Sequence, residues 1–167
     1  MLLSKILAAG KAPPRPHYAQ ILWSWFGAAS GIAIVALVAD VSGHPLLMAP
    51  LGASAVLAFA VPESPLAQPR NIVGGHLSTT IVGLLVLGLF GASWWAAGLA
   101  VATAIAVMQI TRTVHPPAGA NPLVVLAVGA GWEYVILPVL VSTVMLTVWA
   151  YVFHNFVARR QYPTYWF

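Results

Sequence analysis

Apolar residues run along this chain in long blocks, and the polar positions fall between the blocks rather than alternating within them. Four blocks, Gln20 to Val41, Asn71 to Phe90, Ser93 to Thr111 and Glu133 to Phe153, are almost free of charge. Each is about as long as the ~20 residues a helix needs to span a bilayer. Two shorter runs lie between them, 46–61 and 116–131, each broken early by proline. As one straight helix such a run reaches only about 24 Å, less than the ~30 Å hydrocarbon core. With residues 47–50 extended and 51–61 helical, the reach becomes about 13 Å plus about 16 Å, which crosses.

The pattern therefore predicts an all-α polytopic membrane protein, one transmembrane domain over residues 1–167, with six crossings of which two are broken helices. The alternative is four spans plus two re-entrant half helices. Positive charge favours six. With the N-terminus inside, Lys5, Lys11, Arg15, Arg70, Arg112, Arg159 and Arg160 all fall on the cytoplasmic side, and Asp40 and Glu133 fall outside. Four spans would carry Arg70 and Arg112 outside, against the positive-inside tendency. Both termini are then cytoplasmic, in a bacterial-type inner membrane or its equivalent.

The two broken runs resemble each other. PLGASAVLAFA (50–60) aligns with PPAGANPLVVLAVG (116–129), placing Pro50 over Pro117, Gly52 over Gly119, Ala53 over Ala120 and Ser54 over Asn121. Each follows a His-Pro, His44-Pro45 and His115-Pro116, and each sits between long helices. The chain reads as two units, about 20–90 and 93–155. Three crossings per unit is odd, so the second would lie inverted relative to the first, the plan in which broken helices mark a transporter's binding site.

A helix that starts within the bilayer leaves its first N–H groups without partners, and lipid cannot satisfy them. The positive end of the helix dipole there favours an anion or polar solute. The expected binding set is Gly52, Ala53, Ser54, Gly119, Ala120 and Asn121, with glycine allowing close backbone approach and Ser54 and Asn121 capping or donating. The blander reading is that Ser54 and Asn121 cap their own helices and the glycines serve helix packing. His76, within a long helix, and His115, at an inner boundary, join the set as groups able to bind an anion or relay a proton. Arg70 and Arg112 can gather anions at the cytoplasmic mouth, or reach to lipid phosphate. His44 reads as interfacial, His17 and His154 as surface residues. Gly27 and Gly31 form a GxxxG that implies close helix contact.

Composition narrows this further. The chain is 60% hydrophobic and 6% charged, with 0 cysteines. A soluble domain carries about a quarter charged residues. Disulfides and thiolate metal sites are excluded, no metal or cofactor is expected, and no basic patch interleaved with aromatics suggests nucleic acid. The lead-in MLLSKILAAGKAPPRP reads as an interfacial segment rather than a cleaved signal. Enzyme motifs are missing, so the chain is not read as an enzyme. Six thin helices enclose little interior, which favours a homo-oligomer, a dimer or higher.

PLGASAVLAF, the block from Glu63 to Gly83 containing SPLAQPRN and GGH, and HPPAGANPL together resemble the HPP family of integral membrane proteins, named for the motif seen as His115-Pro116-Pro117. The resemblance covers nearly the whole chain. It implies a small multi-spanning protein, usually counted with four helices, and for some members nitrite transport. The residues themselves argue for a small inorganic anion as substrate. A pore for a small neutral solute and a non-transporting membrane scaffold or assembly protein are the alternatives.

Overall fold

The computed structural model describes residues 12–166. The start of the lead-in, with Lys5 and Lys11, lies outside the described residues. The helices are α1 (Tyr18–Ser42), α2 (Ala49–Ala60), α3 (Pro69–Phe90), α4 (Trp94–Ile110), α5 (Asn121–Val128) and α6 (Val141–Val152). Among the described residues there is no strand. Three helical stretches are long and apolar enough to cross a membrane: Tyr18–Ser42, Pro69–Phe90 and Trp132–Val157.

Local chemistry sets the boundaries. α1 ends at Gly43 in the left-handed region, φ 70°, where glycine carries no Cβ penalty. Proline opens α2 and α3 within the first two positions, where its missing N–H has no intrahelical role. The Ser93 hydroxyl caps α4 by accepting from Ala96 N at 3.3 Å.

Contacts fix the direction of each pass. Gly27 and Gly31 of α1 both lie against Phe59 near the end of α2, and against Phe153 and Trp149 respectively in the last span. So α1 runs antiparallel to both, and the GxxxG serves packing within the chain. Arg70 at the start of α3 donates to Thr111 O beyond the end of α4, at 3.0 Å. At the opposite end Phe90 packs edge-on to Trp95. Asn121 meets His76 and Thr80, and the following Pro122 and Val125 meet Gly83, so α5 runs parallel to α3. The chain thus traverses the bundle six times. Arg15, Arg70, Arg112, Arg159 and Arg160 gather at one end, with Asp40 and Glu133 at the other.

The short passes reach across as their lengths require. From Gly43 to Met48 the backbone is non-helical, then α2 adds 12 residues, about 18 Å. In the second broken run, residues 116–120 form a 3-10 turn that leads into α5, closed by Ala118 N donating to His115 O at 2.9 Å. Pro116 and Pro117 have φ already near the helical range and no N–H to place. The last span departs from the continuous helix expected from Glu133. Leu137 is non-helical (φ −123°, ψ 115°), because a residue before proline is driven from the α region, and regular α-helix begins only at Val141.

Two apolar cores result. One joins α1, α2, the first turn of α3 and α6 around Val35, Leu51, Phe59, Ile72 and Leu146. The other joins α3, α4 and α5 around Leu84, Ala96, Ala100, Ala104 and Val125. Large apolar side chains cover the outside: Trp94 is 88% exposed and Ile110 81%. Exposed apolar surface on this scale marks a bundle solvated by lipid.

Candidate functional site

The three helices that meet between the two cores carry polar side chains inward. Ser54 comes from the middle of α2, His76 from the second turn of α3, His115 from the residue before the 3-10 turn, and Asn121 from the first position of α5. All four are buried, Ser54, His76 and His115 completely. Ser54 Oγ lies 2.8 Å from His76 Nε2 and 2.8 Å from His115 Nε2, so one hydroxyl bridges two imidazoles. It also lies 3.1 Å from Pro50 O of its own helix. The imidazole centroids are 5.1 Å apart.

Each ring is oriented from behind. His115 Nδ1 is 2.7 Å from Leu66 O; a carbonyl only accepts, so Nδ1 carries the hydrogen and donates. His76 Nδ1 faces the Asn121 amide, with Nδ2 at 2.9 Å and Oδ1 at 3.2 Å. Asn121 Nδ2 also donates to Thr80 Oγ1 at 2.9 Å and to His76 O at 3.0 Å. The Thr80 hydroxyl donates to His76 O at 2.7 Å. A buried network of this kind, with its members partnered, holds its geometry rigidly.

Glycine lets the second broken run reach α3. A Cβ on Gly75 would stand 2.9 Å from His115 Cβ, and one on Gly83 would stand 2.8 Å from Pro122 Cα. Neither glycine is replaceable without moving the backbone that carries His115 or Asn121.

Of the residues expected from sequence, Ser54, His76, His115 and Asn121 therefore converge. Gly119 and Ala120 are half-buried just before Asn121, and Gly119 lines a groove of about 400 Å³ with Ile105, Gln109 and Val114. Gly52 and Ala53 lie on the exposed face of α2, with nothing within 4 Å of a Cβ built on Gly52. Arg70 and Arg112 are at one end of the bundle, Arg112 with φ 57° just past α4. His17 is exposed and caps α1. His154, expected at the surface, is instead 2% exposed, with Nε2 donating to Ala58 O at 2.8 Å.

Sequence reasoning missed the backbone partners Leu66 O and Pro50 O and the closeness of Gly75 to His115. It also missed a clasp by the C-terminal tail. Tyr162 donates to Ala67 O at 2.8 Å, Thr164 N to Gln68 Oε1 at 2.8 Å, and Tyr165 to Asn71 Oδ1 at 2.9 Å. The tail thus grips the loop whose Leu66 carbonyl holds His115. Burial pushes the Tyr162 phenol above its ordinary range.

Residues 13–163, which include the whole polar cluster and all six helices, match the HPP transmembrane-region family. The chain belongs to the HPP family. Two transmembrane proteins of Dictyostelium discoideum are similar to it. One is 37% identical, over 93% of this chain and 59% of that protein. The other is 35% identical, over 93% of this chain and 54% of its own length. The HPP chain described here thus spans a little over half the length of these curated relatives. No solved structure matches it. Family membership and the apolar helices make this an integral membrane protein.

Proposed function

We propose that this HPP protein carries a small inorganic anion across its membrane by way of the Ser54–His76–His115–Asn121 cluster. Nitrite is the anion that the family resemblance implies. The observation that carries the reading is the cluster itself: four polar side chains, each no more than 1% exposed, at the meeting of both broken segments inside a bundle coated with apolar residues. Buried polar groups at membrane depth are costly and serve solute or proton paths.

Two further features support it. α2 and α5 run in opposite directions, and their aligned residues Ser54 and Asn121 contact the same histidine, as inverted repeats around one site would have them. The arginines gather at one end, which the positive-inside tendency assigns to the cytoplasm. Those arginines would concentrate anions at that mouth. The protein acts as a homo-oligomer in this reading, because six thin helices enclose little interior of their own.

The test is uptake of nitrite by proteoliposomes holding the purified protein, against empty vesicles. Saturable, protein-dependent uptake inhibited by competing anions is expected. A neutral-solute pore is the second reading, favoured by the lack, among the described residues, of any fixed cation at the depth of the cluster. It predicts uptake that anions do not inhibit.

A further inference from the structure

We propose that anion passage is coupled to a proton held and relayed by His76, Ser54 and His115, so that anion and proton move together as a neutral pair. This rests on the transport reading above and adds what neutralises the cargo.

Charge alone calls for a proton. An anion at the centre of a membrane needs a positive partner, since an unpaired charge there is far costlier than a paired one. The described arginines all lie at one end of the bundle. α2, α4 and α5 carry no titratable side chain, and α3 carries only Arg70 and His76. Of the remaining neighbours, the exposed Glu63 is on the loop before α3, Glu133 and the half-buried Tyr134 lie at the start of the last span at the far end, and Tyr162 and Tyr165 belong to the tail clasp. His154 faces Ala58 O with Phe59 and Tyr162. Among the described residues only His76 and His115 can supply a cation beside the cluster, and each does so only by taking up a proton.

The hydrogens in the cluster point the same way. His115 Nδ1 donates to Leu66 O, so in the neutral ring Nε2 accepts from the Ser54 hydroxyl. Ser54 has one hydrogen, which is then spent, so His76 Nε2 must donate to Ser54 Oγ and His76 Nδ1 must accept from Asn121 Nδ2. With both rings neutral the ring nitrogens and the Ser54 hydroxyl are all partnered, Asn121 Nδ2 shares its two hydrogens among His76 Nδ1, Thr80 Oγ1 and His76 O, and Asn121 Oδ1 has no donor among the described residues.

With small rotations the same side chains also partner an added proton on either ring. On His76, Nδ1–H finds Asn121 Oδ1, 3.2 Å away, once the Asn121 amide turns so that Nδ2, now nearer at 2.9 Å, no longer faces it. On His115, Nε2–H donates to Ser54 Oγ, and the Ser54 hydroxyl turns to Pro50 O at 3.1 Å or to a deprotonated His76 Nε2. A network that served only to lock the fold would need one of these states; this one accommodates three.

Transfer between the rings is balanced. The His76 Nε2–H bond breaks as a new Ser54 O–H bond forms, and the old Ser54 O–H bond breaks as His115 Nε2–H forms. One positive charge passes from His76 to His115, and no electrons are exchanged. The proton enters from water admitted with the anion and leaves from His115 toward the Leu66 loop, at the arginine end.

The test loads proteoliposomes with a pH-reporting dye, sets equal pH on both sides, clamps the membrane potential and imposes a nitrite gradient, subtracting nitrous acid leak measured in empty vesicles. About one proton per nitrite is expected for the native protein. Ser54→Ala should drive that ratio toward zero in whatever nitrite flux persists, and Ser54→Thr, which keeps the hydroxyl, should restore it. If Ser54→Ala fails to assemble, His115→Gln, which can accept from Ser54 but cannot hold a proton, should show the same loss. Nitrite uptake without proton movement in the native protein, or an unchanged ratio in the assembled variant, overturns the coupling and leaves the transport reading standing. Absence of protein-dependent nitrite uptake overturns the transport reading, and the coupling falls with it.

Discussion

Gly75→Ala isolates the packing that delivers His115 to the cluster. The new Cβ would stand 2.9 Å from His115 Cβ, 2.9 Å from Thr113 O and 3.5 Å from Ala118 Cβ. Carbon atoms in comfortable contact sit about 3.5–4.0 Å apart. Neither near atom is the tip of a flexible chain; one is backbone and the other the stem of a fixed ring. The segment 113–118 must therefore retreat by roughly half an ångström or more, and His115 with it. Its bonds to Ser54 Oγ and Leu66 O, now 2.8 and 2.7 Å, would move toward the weak end of the range. Overpacking costs about 1–3 kcal/mol, offset by up to about 1 kcal/mol from replacing a helical glycine. The net is a loss of about 1–2 kcal/mol, or about 2–8 °C in Tm on the scale of domains this size. The assay is thermal unfolding in detergent followed by intrinsic fluorescence, for which the chain has 7 tryptophans. Gly52→Ala is the control: it meets nothing within 4 Å and should be neutral or stabilising by up to about 1 kcal/mol. A Gly75→Ala protein as stable as the Gly52→Ala protein would refute the reasoning.

Other outcomes follow from the same contacts. Asn121→Leu removes the donor to His76 Nδ1 and Thr80, leaving a buried acceptor unpaired at about 1–3 kcal/mol; thermal unfolding should shift down, and nitrite uptake should be lost from protein that still inserts. Trp149→Phe deletes the bond from Trp149 Nε1 to Ser30 Oγ at 2.9 Å, for a loss of about 1 kcal/mol that leaves transport intact. Burial raises the Tyr162 phenol, so the neutral form is the one the fold favours. Its contribution should be fully present below about pH 10, the phenol's unfolded value, and decline as pH rises through the folded one. In Tyr162→Phe that alkaline decline should vanish, and amide hydrogen exchange in the 61–68 loop should quicken.

Sequence made the long helices legible because their signal is uninterrupted apolar length, which bilayer thickness fixes. Tyr18–Ser42, Pro69–Phe90 and Trp94–Ile110 differ from the expected limits by a residue or two. The broken segments were legible from Pro50 and Pro116-Pro117. Ser54, His76, His115 and Asn121 stood out because polar groups in apolar runs are rare. What escaped was whatever depends on the direction of a side chain around a short helix. Gly52 and Ser54 are two residues apart, so about 200° of helix separates them, and only Ser54 faces inward. Backbone partners such as Leu66 O carry no sequence signal, since any residue could supply a carbonyl. His154 read as a surface residue because its burial depends on the tail folding back through Tyr162. The kink at Leu137 was readable in principle from Pro138, but the apolar run around it hid the break.

The most direct test of the central claim is labelled nitrite uptake by proteoliposomes at matched protein content, comparing the native chain with His76→Ala. Saturable uptake in the native protein and none above empty vesicles in the variant, with both eluting as folded species, is the result this account predicts. Equal uptake in the two, or none in folded native protein, would contradict it.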